Sequence, residues 1–409
     1  MSSSQASSSA QPEFTISTPP SDVVSSLSFN PDPSHATQLL AASWDKTVRL
    51  YHLPADFPAT SDEAALAEAS KGCTLVHTFQ HDAPVLDVCW INDKLAASGG
   101  LDRRVRLLDL ETGQSSILGK HTNAVSRIRY SESTKLLVSA SWDATLKVWD
   151  PFAAASSSSG SGSEALLKTL KLPDKVLAMD ISPSFPSTQT PKGPVQISDT
   201  TPRLVVAMAG RLVHIYELSR WRAELDQGAS SPDDSPAWKP AQKRESSLKY
   251  MLRDVRTTVS GQGYATSSVE GRIALEFFDA SDEVQAQKYA FKCHRQVVDG
   301  IDTVYPVNGM AFHPIHGTFA SIGADAAVSI WDPLAKKRIK QYGRAPSALS
   351  CGAISSDGAF LAVASGFENI DDANSPSGEV GGLAKGGPGN VQIHIRPAFD
   401  DCKPKPKAS

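Results

Sequence analysis

The sequence predicts an all-β fold, a closed ring of repeated four-stranded blades, and three observations carry that prediction. Two strand-like runs end on the same dipeptide, Trp149-Asp150 and Trp331-Asp332. Each is approached through a polar turn with an Asp and then alternating apolar positions, as in Ser141-Trp142-Asp143-Ala144-Thr145-Leu146-Lys147-Val148-Trp149-Asp150. Comparable strand endings recur at Tyr51, Leu108, Trp149, Tyr216, Phe277, Trp331 and His394, and the tightest spacing, from Leu108 to Trp149, falls in the roughly 40 to 45 residues of a WD repeat. One such unit cannot bury its own faces, so the pattern implies seven blades in a WD-repeat β-propeller.

Length and composition agree. A chain of 409 residues exceeds the usual single-domain range, yet rings grow past it by adding repeats around one axis. A hydrophobic fraction of 40% supports a large core, and a net charge of -4 gives no global attraction to nucleic acid or anionic membrane. Direct nucleic-acid binding is therefore not expected, and any basic site must be local. Cys73, Cys89, Cys293, Cys351 and Cys402 show no CxxC spacing and read as buried thiols in a reducing compartment. No basic n-region with an apolar h-region and no run of membrane-spanning length is present, so a soluble, non-secreted protein is expected.

Along the chain, residues 1–12 form a Ser/Ala/Gln-rich tail expected to be disordered, residues 13–399 the propeller, and residues 400–409 a disordered basic tail. Phe14-Thr15-Ile16 precedes the first complete blade and is expected to pair with Val391-Gln392-Ile393-His394-Ile395, so that both chain ends share the last blade and no sheet edge stays open. Lys46-Thr47-Val48-Arg49-Leu50-Tyr51 and Ala327-Val328-Ser329-Ile330-Trp331 show the period-2 alternation of half-buried strands. Low-complexity composition marks inserted loops near 54–72, 153–163, 182–202, 225–244 and 367–389.

The third unit holds His121, Ser139, Asp143 and Trp149, the residue types of the buried hydrogen-bonded tetrad of WD repeats. Other units keep fragments, such as His81 with Asp102 or Asp45 with Tyr51.

No catalytic constellation is present. Gly99-Gly100 and Gly261-Gln262-Gly263 lack the following helix and the Lys-Ser/Thr of a phosphate-cradling loop. His313 and His316 flank Pro314 without acidic or Cys ligands nearby, so no metal or other cofactor is expected. The informative places are the tight turns that carry the tetrad Asp, because in a propeller they emerge on one rim. Trp44 and Trp142 stand at two of these turns; Trp44 reads as an interface anchor, and Trp142 reads equally as an anchor or as an indole packed on the neighbouring blade. The corresponding turns of the fourth and fifth units carry Arg211 and Arg272, with Arg253 and Lys292-Cys293-His294-Arg295 at nearby strand boundaries. Converging guanidinium and ammonium groups in an acidic protein suit a carboxylate or phosphate partner.

At these residues the chain resembles a known family. Arg244-Glu245-Ser246-Ser247-Leu248-Lys249-Tyr250, Val269-Glu270-Gly271-Arg272-Ile273-Ala274-Leu275-Glu276 and Lys288-Tyr289-Ala290-Phe291-Lys292-Cys293-His294-Arg295 resemble the spindle-checkpoint WD-repeat family of the Bub proteins, the small propeller that partners the Bub kinase. The likeness extends from Val23 to about Ser365 and includes Gly99-Gly100-Leu101-Asp102 and Trp331-Asp332-Pro333-Leu334-Ala335-Lys336-Lys337-Arg338. It implies a non-enzymatic adaptor that binds the acidic GLEBS segment of the checkpoint kinase and its Mad-type relative, and docks them on phosphorylated Met-Glu-Leu-Thr repeats of the kinetochore scaffold. Arg253 and Arg272 would face acidic or phosphorylated residues. Arg211, Lys292, His294 and Arg295 would extend the patch, and Trp44 would add an apolar contact at its border. A monomeric propeller within hetero-complexes, located in the nucleus and cytoplasm and at kinetochores in mitosis, is implied.

Asn308-Gly309-Met310-Ala311-Phe312-His313-Pro314-Ile315-His316-Gly317 looks more like the sister family of messenger-RNA-export propellers at the nuclear pore, which also bind a GLEBS segment. Ala324-Asp325-Ala326 departs from both families, which place a Gly after the Asp. A third reading is a substrate receptor of a cullin ubiquitin ligase. Such receptors carry an Arg two residues after a Trp-Asp, where this chain has Phe152 and Leu334.

Overall fold

Each of the seven units folds into an antiparallel four-stranded sheet; in six of them the strands run outward from a common axis in chain order, and in the seventh the outermost strand comes from the start of the chain. The computed structural model describes residues 13–55, 62–153, 165–183, 197–228, 235–298, 300–367 and 390–405. The innermost strands are Val24–Phe29, Val85–Trp90, Val125–Ser131, Val176–Ser182, Leu252–Thr257, Val307–Phe312 and Ala348–Ile354. They pack side by side in a closed ring. The first residue of each is apolar and buried, so the ring starts on an unbroken belt of Val, Leu and Ala.

The same irregularity recurs in all seven innermost strands. The register against the second strand slips between Val24 and Ser26, Val85 and Asp87, Val125 and Arg127, Val176 and Ala178, Leu252 and Asp254, Val307 and Gly309, and Leu349 and Cys351. A bulge bends its strand and re-aims one side chain. Here the re-aimed residue often ties its blade to the next: Ser25 Oγ donates to Val85 O (2.6 Å), Ser126 Oγ to Val176 O (2.9 Å), and Asn308 Nδ2 to Leu349 O (2.7 Å).

The ring closes as the sequence implies. Phe14–Thr15 is the outermost strand of the seventh blade, with Phe14 opposite Ile395 and Thr15 opposite His394. Glu13 extends this closure, since its carboxylate meets both His394 and Arg396.

Several stretches expected to be loop or tail are ordered instead. The 54–72 insert contains the helix Glu63–Gly72, which buries Ala69 and whose Ser70 hydroxyl caps Thr15 O at 2.5 Å. In the 225–244 insert, Trp238 is buried against Trp221 with ring centroids 5.6 Å apart, and Gln242–Glu245 is the outermost strand of the fourth blade. The expected basic tail from 400 begins docked: Cys402 is fully buried, Thr318 Oγ1 donates to its carbonyl at 2.7 Å, and Lys340 pairs with Asp401. The expected 1–12 tail and most of the 153–163, 182–202 and 367–389 inserts lie outside the described residues.

The fifth-blade strand ending also shifts by one residue. Glu276, opposite Tyr264, takes the place that Trp149 holds opposite Leu137, so the equivalent position is not Phe277. The Tyr264 hydroxyl donates to Oε2 of the buried Glu276 carboxylate at 2.8 Å.

Candidate binding rim

Six turns between second and third strands are built alike. Each begins with an N–H that bonds the residue just before the innermost strand: Trp44 to Val23 O, Leu101 to Pro84 O, Trp142 to Ala124 O, Ala209 to Lys175 O, Val269 to Met251 O, and Ala324 to Pro306 O. Each then passes through a left-handed residue, at Lys46, Arg103, Ala144, Arg211, Gly271 and Ala326. At this position only the fifth blade has glycine, the residue free to adopt that conformation, although the fourth turn also places Gly210 in the left-handed region one residue earlier. In the fifth blade the choice is forced, because a Cβ on Gly271 would stand 2.5 Å from Cys293 O. Ala326 is left-handed despite its Cβ, so the departure in the sixth blade alters the residue and not the turn.

Two blades carry a complete buried tetrad. In the third, Ser139 Oγ lies 2.7 Å from His121 Nε2 and accepts from Trp149 Nε1 at 2.8 Å, while His121 Nδ1 faces Asp143 at 3.2 Å. In the sixth, Ser321 Oγ lies 2.7 Å from His294 Nε2 and accepts from Trp331 Nε1 at 2.8 Å, with His294 Nδ1 2.8 Å from Asp325. This corrects the expected patch. His294 is buried and both its ring nitrogens are engaged, so it holds the blade together and cannot touch a partner. The third-strand Trp331 twelve positions beyond Phe319 signalled the tetrad. Its His lies across a long connection and was not matched to it.

In the second blade His81 bonds Ser98 (2.8 Å), while Asp102 turns to Arg106. In the first, Asp45 holds Thr47 and Arg49, and the Tyr51 hydroxyl donates to Thr18 O at 2.7 Å.

The remaining candidates share the rim but not one contiguous spot. Arg272 pairs with Glu270 and stands opposite Lys292 in the sheet. Arg295 Nη2 donates to Glu270 O (3.1 Å) and its Nη1 lies 3.5 Å from Asp302. Arg211 pairs with Glu245 within the fourth blade. Arg253 occupies the bulge of its strand and donates to Asn308 Oδ1 at 3.0 Å, making it an inter-blade strut as well as a rim cation. Burial, followed by repulsion from Arg127, lowers the Arg253 pKa. Lys292 is exposed, and among the described residues no carboxylate lies within ion-pair distance of it. Trp44, 43% exposed, lies on the first blade, separated from this cluster by the sixth and seventh.

Two apolar features were missed from the sequence. Tyr250 and Met251, which lead into the fifth blade's innermost strand, are about half exposed, at 57% and 49%. After the fifth blade, a two-stranded hairpin, Arg295–Val298 with Ile301–Val304, holds up Val297 (74%) and Ile301 (68%). Their short apolar runs resemble ordinary strand ends, so alternation alone gave no signal. His313 and His316 stack at 4.4 Å, but their Nε2 atoms are occupied by Gly358 O and Phe399 O. No three His, Cys, Asp or Glu residues form a metal-binding group among the described residues. No helix there is long and apolar enough to cross a membrane.

The ring of blades, the paired tetrads and the shared turn geometry define a WD-repeat β-propeller, and the family model for the WD domain, G-beta repeat, matches residues 10–52, 73–109 and 113–150. The chain is 39% identical to the mitotic checkpoint protein BUB3.1 of Arabidopsis thaliana over 96% of its own length and 95% of that protein's. It is 34% identical to mitotic checkpoint protein bub3 of Dictyostelium discoideum over 87% and 88%, and 29% identical to the poly(A)+ RNA export protein of Schizosaccharomyces pombe over 99% and 96%. The chain belongs to the Bub3 family of mitotic checkpoint WD-repeat proteins.

Proposed function

We propose that this propeller is a non-enzymatic spindle-checkpoint adaptor whose rim grips the acidic GLEBS segment of a checkpoint kinase or Mad-type partner and presents it to phosphorylated Met-Glu-Leu-Thr repeats at kinetochores. The observation that carries the proposal is the set of cations on and around the fifth blade. Arg211, Arg272 and Arg295 are each held in place by a local carboxylate, while among the described residues Lys292 has none and Arg253 bonds a neutral Asn. Arg272 meets its carboxylate through Nε, which leaves its terminal N–H groups for an incoming oxyanion, and the uncompensated cations supply the attraction. Tyr250, Met251 and the Val297–Ile301 hairpin offer apolar contact beside the charges, which suits a peptide better than a free ion. Trp44, three blades away around the ring, would meet a different portion of an extended segment.

Calorimetric titration with a GLEBS peptide at rising salt tests this reading. Affinity should fall with ionic strength and fall further in Lys292→Ala. An affinity indifferent to both would place the contacts elsewhere. The 29% identity to an RNA export protein supports a second reading, in which the same rim holds a nuclear-pore GLEBS segment and phosphorylated repeats do not bind.

A further inference from the structure

The central channel holds a second polar constellation, at the end remote from the rim. Because the rim turns bond the residues that precede the innermost strands, the later halves of those strands line the opposite end. There Arg129 reaches Asp87 Oδ2 through Nη1 (2.6 Å) and Asp180 Oδ1 through Nε (3.4 Å). Asp180 Oδ2 accepts the Thr257 N–H at 2.8 Å. Arg256 Nε lies 3.1 Å from Asp254 Oδ2, which also accepts the Met310 N–H at 2.9 Å.

Asp87 and Asp180 use both carboxylate oxygens and Asp254 its Oδ2, whereas the guanidinium groups keep unused donors. Among the described residues no hydrogen bond or ion pair reaches the terminal nitrogens of Arg256 or Nη2 of Arg129. Both side chains line a cavity of about 230 Å³, large enough for a small solute and not merely one water. Ser356 also lines it, and its hydroxyl is buried without a hydrogen-bond partner in a residue only 2% exposed. A buried, unsatisfied hydroxyl on a cavity also lined by two guanidinium groups with unused donors is costly unless something fills the space. Away from the rim, the channel sets Arg127, Arg129 and Arg256 against Asp87, Asp180 and Asp254, so the ionised groups balance and the unused guanidinium N–H groups supply the local attraction for an anion.

We infer that this end of the channel is a second binding site, for a small hydroxylated oxyanion, with the anionic group on Arg256 and Arg129 and a hydroxyl on Ser356. It is separate from the rim and does not require the proposed peptide to be bound. Guanidinium accepts phosphate and carboxylate alike, so the class is defined by size, charge and a hydroxyl.

The test is calorimetry of the full chain with glycerol phosphate, glycerate or inorganic phosphate, ionic strength being held constant with chloride. At least one should bind saturably, and the contrast between glycerol phosphate and glycerate identifies the anionic group. Arg256→Gln should weaken binding at least tenfold. Ala353→Leu, which narrows the cavity without touching a charged group, should do the same and carries the test if Arg256→Gln does not fold. Rim variant Arg272→Ala should bind as the parent does. Absence of binding by all three solutes would overturn the proposal, as would loss in Arg272→Ala with retention in both channel variants.

Discussion

Glu13 Oε1 lies 2.7 Å from His394 Nδ1, joining a residue at the start of the described chain to one near its end. The other carboxylate oxygen meets Arg396, and Ser365 Oγ lies 2.9 Å from His394 Nε2, so the latch spans three strands of the seventh blade. Removing Glu13 leaves Arg396 and His394 buried without their acid. Glu13→Ala should therefore lower stability by about 3 kcal/mol, read as a lower urea midpoint. Burial raises the Glu13 pKa, but the His394 hydrogen bond and the Arg396 charge outweigh it and hold the carboxyl below its usual value. The latch contribution should be complete above the unfolded Glu value and fade as pH falls through the lowered one.

His294→Ala should destabilise the protein by about 2–4 kcal/mol, because it strands Ser321 and Asp325 in the interior. The folded variant should bind a GLEBS peptide with unchanged affinity. A large affinity loss with unchanged stability would return His294 to the binding surface.

Buried histidines give the fold an acid-sensitive window. Burial pushes the His81 pKa down to about 4, and it does the same to His121 against the opposing pull of Asp143. Between the unfolded value near 6.5 and about pH 4, the unfolded chain binds protons that the folded chain refuses, so stability should drop as pH falls across that range and stay flat above it. Denaturant melts at pH 7.5, 6 and 5 check this, and His81→Gln should flatten the slope.

The repeated left-handed position predicts opposite outcomes from two similar changes. Ala326→Gly should stabilise by about 0.5–1 kcal/mol by removing a Cβ from a conformation that disfavours it. Gly271→Ala should destabilise by more than about 1 kcal/mol, since its new Cβ meets the Cys293 carbonyl. Thermal melts of the two variants decide the point.

Much of the ring was legible because strand alternation and the turn Asp report directly on burial and hydrogen bonding. Trp149 with Ser141-Trp142-Asp143 marked a whole blade, and the Phe14–Ile395 pairing followed from an otherwise open edge. Composition misled where apolar anchors were sparse: Trp238 and Cys402 order stretches whose other residues look like loop or tail. At the rim the sequence indicated cation types but not burial. His294 and Arg295 are adjacent, yet one faces the interior and the other pairs at the surface. Arg129 escaped notice because its partners, Asp87 and Asp180, come from the neighbouring blades, a proximity that only the ring creates.

The most direct test of the adaptor reading is calorimetric titration of the GLEBS-bound protein with a Met-Glu-Leu-Thr peptide, phosphorylated and unphosphorylated, against the parent chain and Arg272→Ala. Phosphothreonine brings about -1.5 to -2 charges to the cluster. The parent should bind only the phosphorylated form measurably. Arg272→Ala should weaken that binding by about 1.5–3 kcal/mol, because it removes charged hydrogen bonds and leaves Glu270 facing the phosphate. Equal affinity for both peptides, or an Arg272→Ala affinity matching the parent's, would contradict the account.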